Sequence, residues 1–296
     1  MNVDFTSKVV LMRLVSRGTN WERQNSAITE EVKAQHGASA DVGRWTDKLL
    51  PPDDIKPIQR IQRAAREHFR THTLRWKFED GAGLVPVEHY QQMRDSLRVF
   101  ESELRDAIAV LVGDWQNVLG RAQEMRNGLF KWDDYPSDPA ELYDRYAFEV
   151  NTMPLPNVDD LGRIFGTSTA ALRETVAGEV TEQLKAAEQA SRVDLYGRLA
   201  ERIEMVIGRL DKLDTGESKM ITAPMMTGLA DVARIVEELN VHGDTRLSQL
   251  AADIAAVASF PVEMLRGAGS ETFRAVVKGK ANEAAAALAE AMKEVA

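Results

Sequence analysis

From Met93 onward the large apolar residues fall at Met93, Leu97, Phe100, Leu104, Ile108, Leu111, Trp115 and Val118. Steps of three and four keep them on one face of an α-helix. The spacing predicts a single helix from about Val87 to Asn127, with a weak point at Gly113. A second stripe runs through Leu172, Val176, Val180, Leu184, Ala187, Ser191, Leu195, Leu199, Ile203, Val206, Leu210 and Leu213, and predicts a helix from about Thr169 to Leu213. Burying each large apolar side chain is worth roughly 1.5–3 kcal/mol before entropy is counted, so neither stripe is expected to stay in water. The expectation is a long antiparallel helical hairpin, coiled-coil-like, whose stripes meet each other or a second copy. The connector from Gly128 to Gly166 holds Pro136, Pro139, Pro154 and Pro156, and Asp138-Pro139-Ala140-Glu141 predicts a short helix with Pro in its first turn.

The N-terminal region reads differently. Lys8 to Val15 is short and β-branched and is stopped by Ser16-Arg17-Gly18, which predicts a strand. A helix follows over Ser26 to Gln35, ended by Gly37, and Gly43 to Leu50 predicts a second strand. From Asp53 or Asp54 to His72, Ile58, Ile61, Ala65 and Phe69 recur at helical spacing, with Pro57 tolerated in the first turn. Leu74, Trp76 and Phe78 alternate with charged residues ahead of Gly81-Ala82-Gly83, which predicts a β-hairpin closed by Pro86. After a polar break at Thr215 to Ser218, helices are expected over Pro224 to Asn240, Asp244 to Ser259, Pro261 to Arg266 and Ser270 to Val295, with Asp244 and Ser270 as N-caps. The fold class is therefore mainly α: a small α+β region over residues 1–86, the hairpin over 87–213, and a C-terminal helical bundle over 219–296.

Composition narrows the chemistry. The chain has no cysteine, which removes disulfides, thiolate metal sites and Cys nucleophiles and suits a reducing cytoplasm. Neither a signal peptide nor an apolar run of bilayer length is found, so a cytoplasmic protein that does not cross a membrane is expected. The formal charge of −9 argues against general polyanion binding. It is unevenly spread: residues 1–100 carry 16 Lys and Arg against 13 Asp and Glu, while the remainder carries 21 against 33. Any nucleic-acid surface is expected in the N-terminal third.

Candidate catalytic groups are sparse. His68 and His72 have the i, i+4 spacing of a metal-binding pair, but no Glu follows His68 as in HExxH, and Arg66 and Arg70 would repel a cation. Two histidines near a helix C-terminus are the plainer reading. Asp133-Asp134 and Asp159-Asp160 are carboxylate pairs at predicted turns or helix starts, where Asp ordinarily caps. Gly81-Ala82-Gly83 lacks the Lys-Ser/Thr of a phosphate loop. No catalytic residue, cofactor or metal site is assigned.

Binding signals are stronger. Arg60, Arg63, Arg66 and Arg70 gather on one side of the helix ending at His72, close in sequence to Arg75, Trp76 and Lys77. Single-stranded nucleic acid suits that mixture, since guanidinium groups follow phosphates while bases stack on Trp; a solvated helix face is the competing reading. Leu161 to Val176, with Gly162, Gly166-Thr167-Ser168 and Leu172, resembles a bacterial helix-turn-helix. Its second helix would present Thr169, Ala170 and Arg173 beside Glu174 and Glu179, a poor face for phosphates.

The run Thr71 to Pro86, with His72-Thr73-Leu74, Trp76 and Gly83-Leu84-Val85-Pro86, then Tyr90, Leu129-Phe130 and Asp134-Tyr135-Pro136, resembles a family of uncharacterised phage and bacterial proteins over about residues 8–165. Members are often encoded near MoxR-type AAA ATPases and von Willebrand A-type proteins. The resemblance implies a phage or mobile-element setting and an AAA ATPase-linked partner, and carries no catalytic residue. The favoured expectation is a non-enzymatic interaction or assembly protein that self-associates or meets a protein partner. The alternative is a nucleic-acid-binding protein, single-stranded or through the helix-turn-helix, acting in phage replication or transcription.

Overall fold

The structure is a computed structural model of the 296-residue chain and describes residues 3–39, 41–153, 155, 170–215, 221–266 and 269–295. It is mainly α, with a small antiparallel sheet drawn mostly from the N-terminal region. In chain order the elements begin α1 (Val3–Lys8), β1 (Val9–Ser16), β2 (Glu22–Gln24), α2 (Ser26–His36), β3 (Thr46–Lys48), α3 (Pro52–Thr71), β4 (Leu74–Arg75) and β5 (Ala82–Pro86). They continue α4 (Tyr90–Gly113), α5 (Trp115–Arg126), α6 (Glu141–Arg145), β6 (Phe148–Met153) and α7 (Ala170–Asp214). The chain closes with α8 (Ala223–Glu238), α9 (Thr245–Ala258), α10 (Val262–Leu265) and α11 (Glu271–Val295). No helix of the described residues is long and apolar enough to cross a membrane.

Local chemistry accounts for several boundaries. Asn25 caps α2 by accepting from the Ile28 amide, and Gly37 ends it at φ +58°, a left-handed conformation that costs glycine little. Asp244 caps α9 by accepting from the amides of Arg246 and Leu247, and the Tyr196 hydroxyl donates to its second carboxylate oxygen at 2.9 Å. A hairpin forms over this segment, with Leu74 paired to Leu84 and Arg75 to Gly83, but its first strand ends at Arg75 and the predicted turn residues Ala82 and Gly83 lie in β5, which pairs antiparallel with β1 from Val9↔Pro86 to Arg13↔Ala82. The sheet order is β4-β5-β1-β6. α1, β2 and β6 are elements that the pattern did not predict; β6 carries only partly buried or exposed residues and lacks a clean alternation. The segment predicted as one helix from Val87 to Asn127 opens with a 3₁₀ turn and breaks after Gly113, where Asp114 leaves helical geometry at φ −97°, ψ 10°.

The chain forms two compact units, each assembled from separated segments. The first comprises residues 1–13, 69–93 and 152–296, and the second residues 14–68 and 94–151. In the first unit α7 packs on α8 and α11, α9 packs on α8 and α11, and β4 lies against α7. Leu195, Leu199, Ile203, Val206 and Leu210 of α7 are buried among Leu229, Val236, Ile254, Val277 and Leu288. The Ala-rich α11 presents Ala281, Ala284 and Ala291 to this core, so its small side chains serve close approach to a partner inside the chain. Arg198 of α7 donates to the carbonyls of Thr71 at 2.6 Å and Thr73 at 2.7 Å, supplying partners at the C-terminal end of α3 where the helix itself has none.

In the second unit the stripe of α4 and α5 from Leu104 to Val118 joins Ile55 and Ile58 of α3, with Trp21, Tyr135 and Tyr146, in one core. The α4–α5 stripe from Leu104 on and the α7 stripe from Ala187 on are therefore covered, each by a different set of helices. Periodicity announces that a face is buried; it does not name the surface that buries it.

A buried charge cluster fixes this second unit. The Arg126 side chain is 3% exposed and lies 2.7 Å from Asp134 and 3.4 Å from Asp47, whose side chains are 4% and 3% exposed. Arg23 also bonds Asp134, the amide of Asn25 donates to Asp47 at 2.9 Å, and the indole of Trp45 donates to it at 2.8 Å. Burial by itself raises the Asp47 pKa, but the bonds from Asn25 and Trp45 and the charges of Arg126 and Arg23 outweigh it and hold the carboxyl below its ordinary value. Replacing Arg126 by Ala strands two buried carboxylates and is expected to destabilise the protein by about 3–5 kcal/mol. The variant Arg126→Met with Asp47→Asn and Asp134→Asn should recover much of that loss. Urea titrations of both variants check this, and a single-variant loss below about 1 kcal/mol would show that the cluster is dispensable.

Candidate functional site

In the second unit a cleft of about 790 Å³ opens between the loop that follows β1, the C-terminal half of α3, and α6. From α3 it is lined by Gln59, Gln62, Arg63 and Arg66. Ser16, Arg17, Gly18, Thr19, Asn20 and Glu22 line it from the loop and Arg145 from α6. Four guanidinium groups thus face one carboxylate across a volume within the range typical of ligand sites.

The sequence forces this arrangement in steps. On α3, Ile55, Ile58, Gln62, Ala65 and Phe69 are buried, which turns Arg60, Arg63, Arg66 and Arg70 outward. Gln62 is the buried polar residue in that stripe, and its amide donates to the Arg17 carbonyl at 2.7 Å. The loop can approach because residue 18 is glycine: a Cβ there would come within 2.9 Å of the Gln62 amide and 3.2 Å of the Tyr146 ring. The Arg17 amide donates to Ala147 O at 2.9 Å. At the far end of the loop Trp21 sits at φ +52°, a strained conformation for a bulky residue. Its ring packs on Trp115 at 5.8 Å between centroids, and its indole donates to the Tyr146 hydroxyl at 2.7 Å. Packing thus holds the loop in a shape that its backbone alone resists.

The four arginines are not equivalent. Arg17 pairs with Glu149 at 2.9 Å, with both side chains well exposed. Arg145 lies 5.3 Å over the Trp21 ring and 3.9 Å from Glu141. Arg63 and Arg66 have no ion pair among the described residues. Exposed pairs such as Arg17–Glu149 contribute about 0–1 kcal/mol, so an incoming anion competes with them at small cost.

Of the seven residues proposed for nucleic acid, Arg63 and Arg66 line the cleft, and Arg60 is exposed on the same helix outside the lining. Arg70, Arg75, Trp76 and Lys77 belong to the first unit. Trp76 is 8% exposed, with its ring at 5.1 Å from Phe78, which leaves little indole for a stacking base; Lys77 lies 5.6 Å over the Phe78 ring. Arg17, Gln59, Gln62 and Arg145 are cleft residues that the sequence reading did not single out. The one signal for them was Arg17-Gly18-Thr19-Asn20, a polar Gly-containing loop directly after a strand. The other candidates resolve into structure: Asp134 belongs to the buried cluster, and the His68 ring lies 5.6 Å from Phe100. No group of three or more metal-ligating side chains occurs among the described residues. Asp159-Asp160 and Leu161 to Thr169 of the helix-turn-helix segment lie outside the described residues, and Ala170 onward belongs to α7.

A Ser–His–Glu grouping, invisible in local sequence, occurs in the first unit. Ser191 Oγ lies 2.8 Å from His242 Nε2, and Glu188 lies 3.7 Å from Nδ1. The Glu188 carbonyl, 2.7 Å from Ser191 Oγ, competes with Nε2 for the hydroxyl proton, and when it takes that proton Nε2 is the donor to Oγ, the reverse of a general base. Phe5 stacks on the imidazole at 5.0 Å, and Ser191 is fully buried. Burial, with smaller effects from Arg192 and Lys8 and against that of Asp244, lowers the His242 pKa to about 4. This is a neutral core histidine.

No family model, curated protein or solved structure matches the chain.

Because the folded-state pKa of His242 lies below the unfolded value, its neutral form favours folding above about pH 6.5, and that contribution fades as pH falls toward 4. Urea stability should drop by about 3 kcal/mol more over this window in the native protein than in His242→Gln. Parallel pH profiles of the two proteins would assign the loss elsewhere.

Proposed function

We propose that the protein is a binding protein whose second-unit cleft takes the phosphates of single-stranded nucleic acid. The observation that carries this reading is the convergence of Arg63 and Arg66, without ion partners among the described residues, on the cleft that Arg17 and Arg145 also line. Guanidinium groups hold phosphate oxygens through paired N–H donors and stay charged at every physiological pH. Gln59, Gln62 and Asn20 add amide donors and acceptors of the kind that meet base edges and sugars. The net charge of −9 works against general polyanion binding, so the contact is local. A cytoplasmic phage or mobile-element setting and an AAA ATPase partner are proposed on the resemblance of the Thr71 to Pro86 run.

The reading as a self-associating assembly protein has one observation of its own. The α7 stripe continues through Leu172, Val176 and Val180 beyond the point where Gln189 meets Val295 at the end of α11, and Leu172 is 45% exposed. Self-association there should raise the mass measured by light scattering between low and high micromolar protein, and Leu172→Gln should abolish the rise. A constant monomer mass would remove this reading.

For the nucleic-acid reading, oligothymidylate affinity should weaken as salt rises, and the double variant Arg63→Glu, Arg66→Glu should lose at least tenfold with its circular dichroism unchanged. Retained affinity in the double variant would move binding away from the cleft.

A further inference from the structure

We infer that the cleft holds a terminal phosphate monoester, the phosphorylated end of a strand, rather than phosphates within it. This rests on the nucleic-acid reading of the same site and specifies what part of the ligand enters.

The argument starts from how the positive charge is distributed. A strand interior offers one negative charge per nucleotide, spread along its length, and is matched by a groove with basic groups at intervals. In the second unit Arg60 continues the outward face of α3, but of the α3 arginines the cleft itself takes Arg63 and Arg66. Four arginines thus line one open cleft of about 790 Å³, a volume in the range of small-ligand sites.

A monoester matches such a site chemically. Its second pKa is near 6, so at neutral pH it carries close to two charges and three acceptor oxygens in one small group. Arg63 and Arg66, three residues apart on α3, are neighbours on the helix surface and can hold one such group between them. The loop opposite is the strained segment ending at Trp21, and its Gly18, Thr19 and Asn20 amides donate to no protein group among the described residues. The cleft is thus rich in donors and offers a single carboxylate, Glu22.

Titration should report the end group directly, since arginine does not lose its proton and a phosphodiester does not gain one in the range concerned. Binding of a monoester should weaken as pH falls through 6.

The test compares fluorescently labelled oligothymidylates of equal length carrying either a 5′-phosphate or a 5′-hydroxyl, with 3′-labels, at pH 7.5 and pH 5.5. Thymidine 5′-monophosphate and inorganic phosphate serve as competitors. The expected result is at least tenfold tighter binding of the phosphorylated strand at pH 7.5, a smaller preference at pH 5.5, and competition by the monophosphate. Arg63→Gln with Arg66→Gln should abolish the preference, while Arg60→Gln should keep it. Equal binding of both strands, lost on charge reversal of Arg63 and Arg66, would overturn the end-group inference and leave the strand reading standing. Binding of neither strand would overturn both. Direct binding of thymidine 5′-monophosphate or inorganic phosphate, read by calorimetry, without binding of either strand would assign the site to a small free phosphate ligand and overturn both.

Discussion

Arg126 reaches a position where almost none of its side chain meets water, and a guanidinium cannot remain there alone. Its charge is stabilised only because Asp134 from the connector after α5 and Asp47 from β3 are carried to the same place. Asp47 in turn draws Asn25 and Trp45 around it, while Tyr135, next to Asp134, donates to the Leu49 carbonyl. The end of α5, the connector, and strands β2 and β3, which pair antiparallel from Glu22↔Lys48 to Gln24↔Thr46, are thereby constrained by one another. That constraint presents Trp21 to Trp115 and Tyr146, and Trp21 is the residue that anchors the loop on the cleft. A hydrophobic cluster of similar volume would hold these segments together, but it would not select one register between Arg23, Asp47 and Asp134 so narrowly.

The relation between sequence and structure follows from what each signal encodes. Long stripes such as Leu195 to Leu210 were legible because burial on one helix face leaves a period in the sequence. Caps such as Asp244 and stops such as Gly37 were legible because they act within a few residues. The coverings of the stripes were not, since α11 meets α7 across some sixty residues of chain, as Arg274 does Asp214, and any apolar face of the right width would have served. β6 was missed because its residues alternate neither cleanly nor deeply. Of the candidate site, Arg63 and Arg66 were readable from their spacing on an amphipathic helix. Arg17 and Arg145 were not, because they come from a loop and a short helix whose proximity depends on Gly18 and on the left-handed backbone of Trp21. Trp76 looked like a stacking platform in an alternating strand, yet the same alternation places it inward.

Charge shows the same separation of scales. The whole chain is acidic, and most of its carboxylates sit on helix surfaces or in short-range pairs such as Lys185–Glu182 and Arg234–Glu238. These neutralise each other within a few residues. The cleft differs because Arg63 and Arg66 line it while Glu67, the acid of α3 beside them, does not. A local field of one sign therefore persists on a molecule of the opposite net sign, and screening by salt confines it to roughly a Debye length of about 8–10 Å.

Neither compact unit is a continuous stretch of chain, and this has a consequence for the order in which the protein can be made. The second unit needs nothing beyond residue 151, so all of its parts have been synthesised while most of α7 to α11 is still to come. The first unit needs residues 1–13 together with the last helices, so although β1 can pair with β5 early, Phe5 waits for His242, on which it stacks. Contacts of such high sequence separation form late and slowly. Vectorial synthesis therefore favours a nascent chain in which the cleft-bearing unit is complete first. A single cut after residue 151 would leave the second unit whole but would take residues 1–13 and 69–93 away from the first.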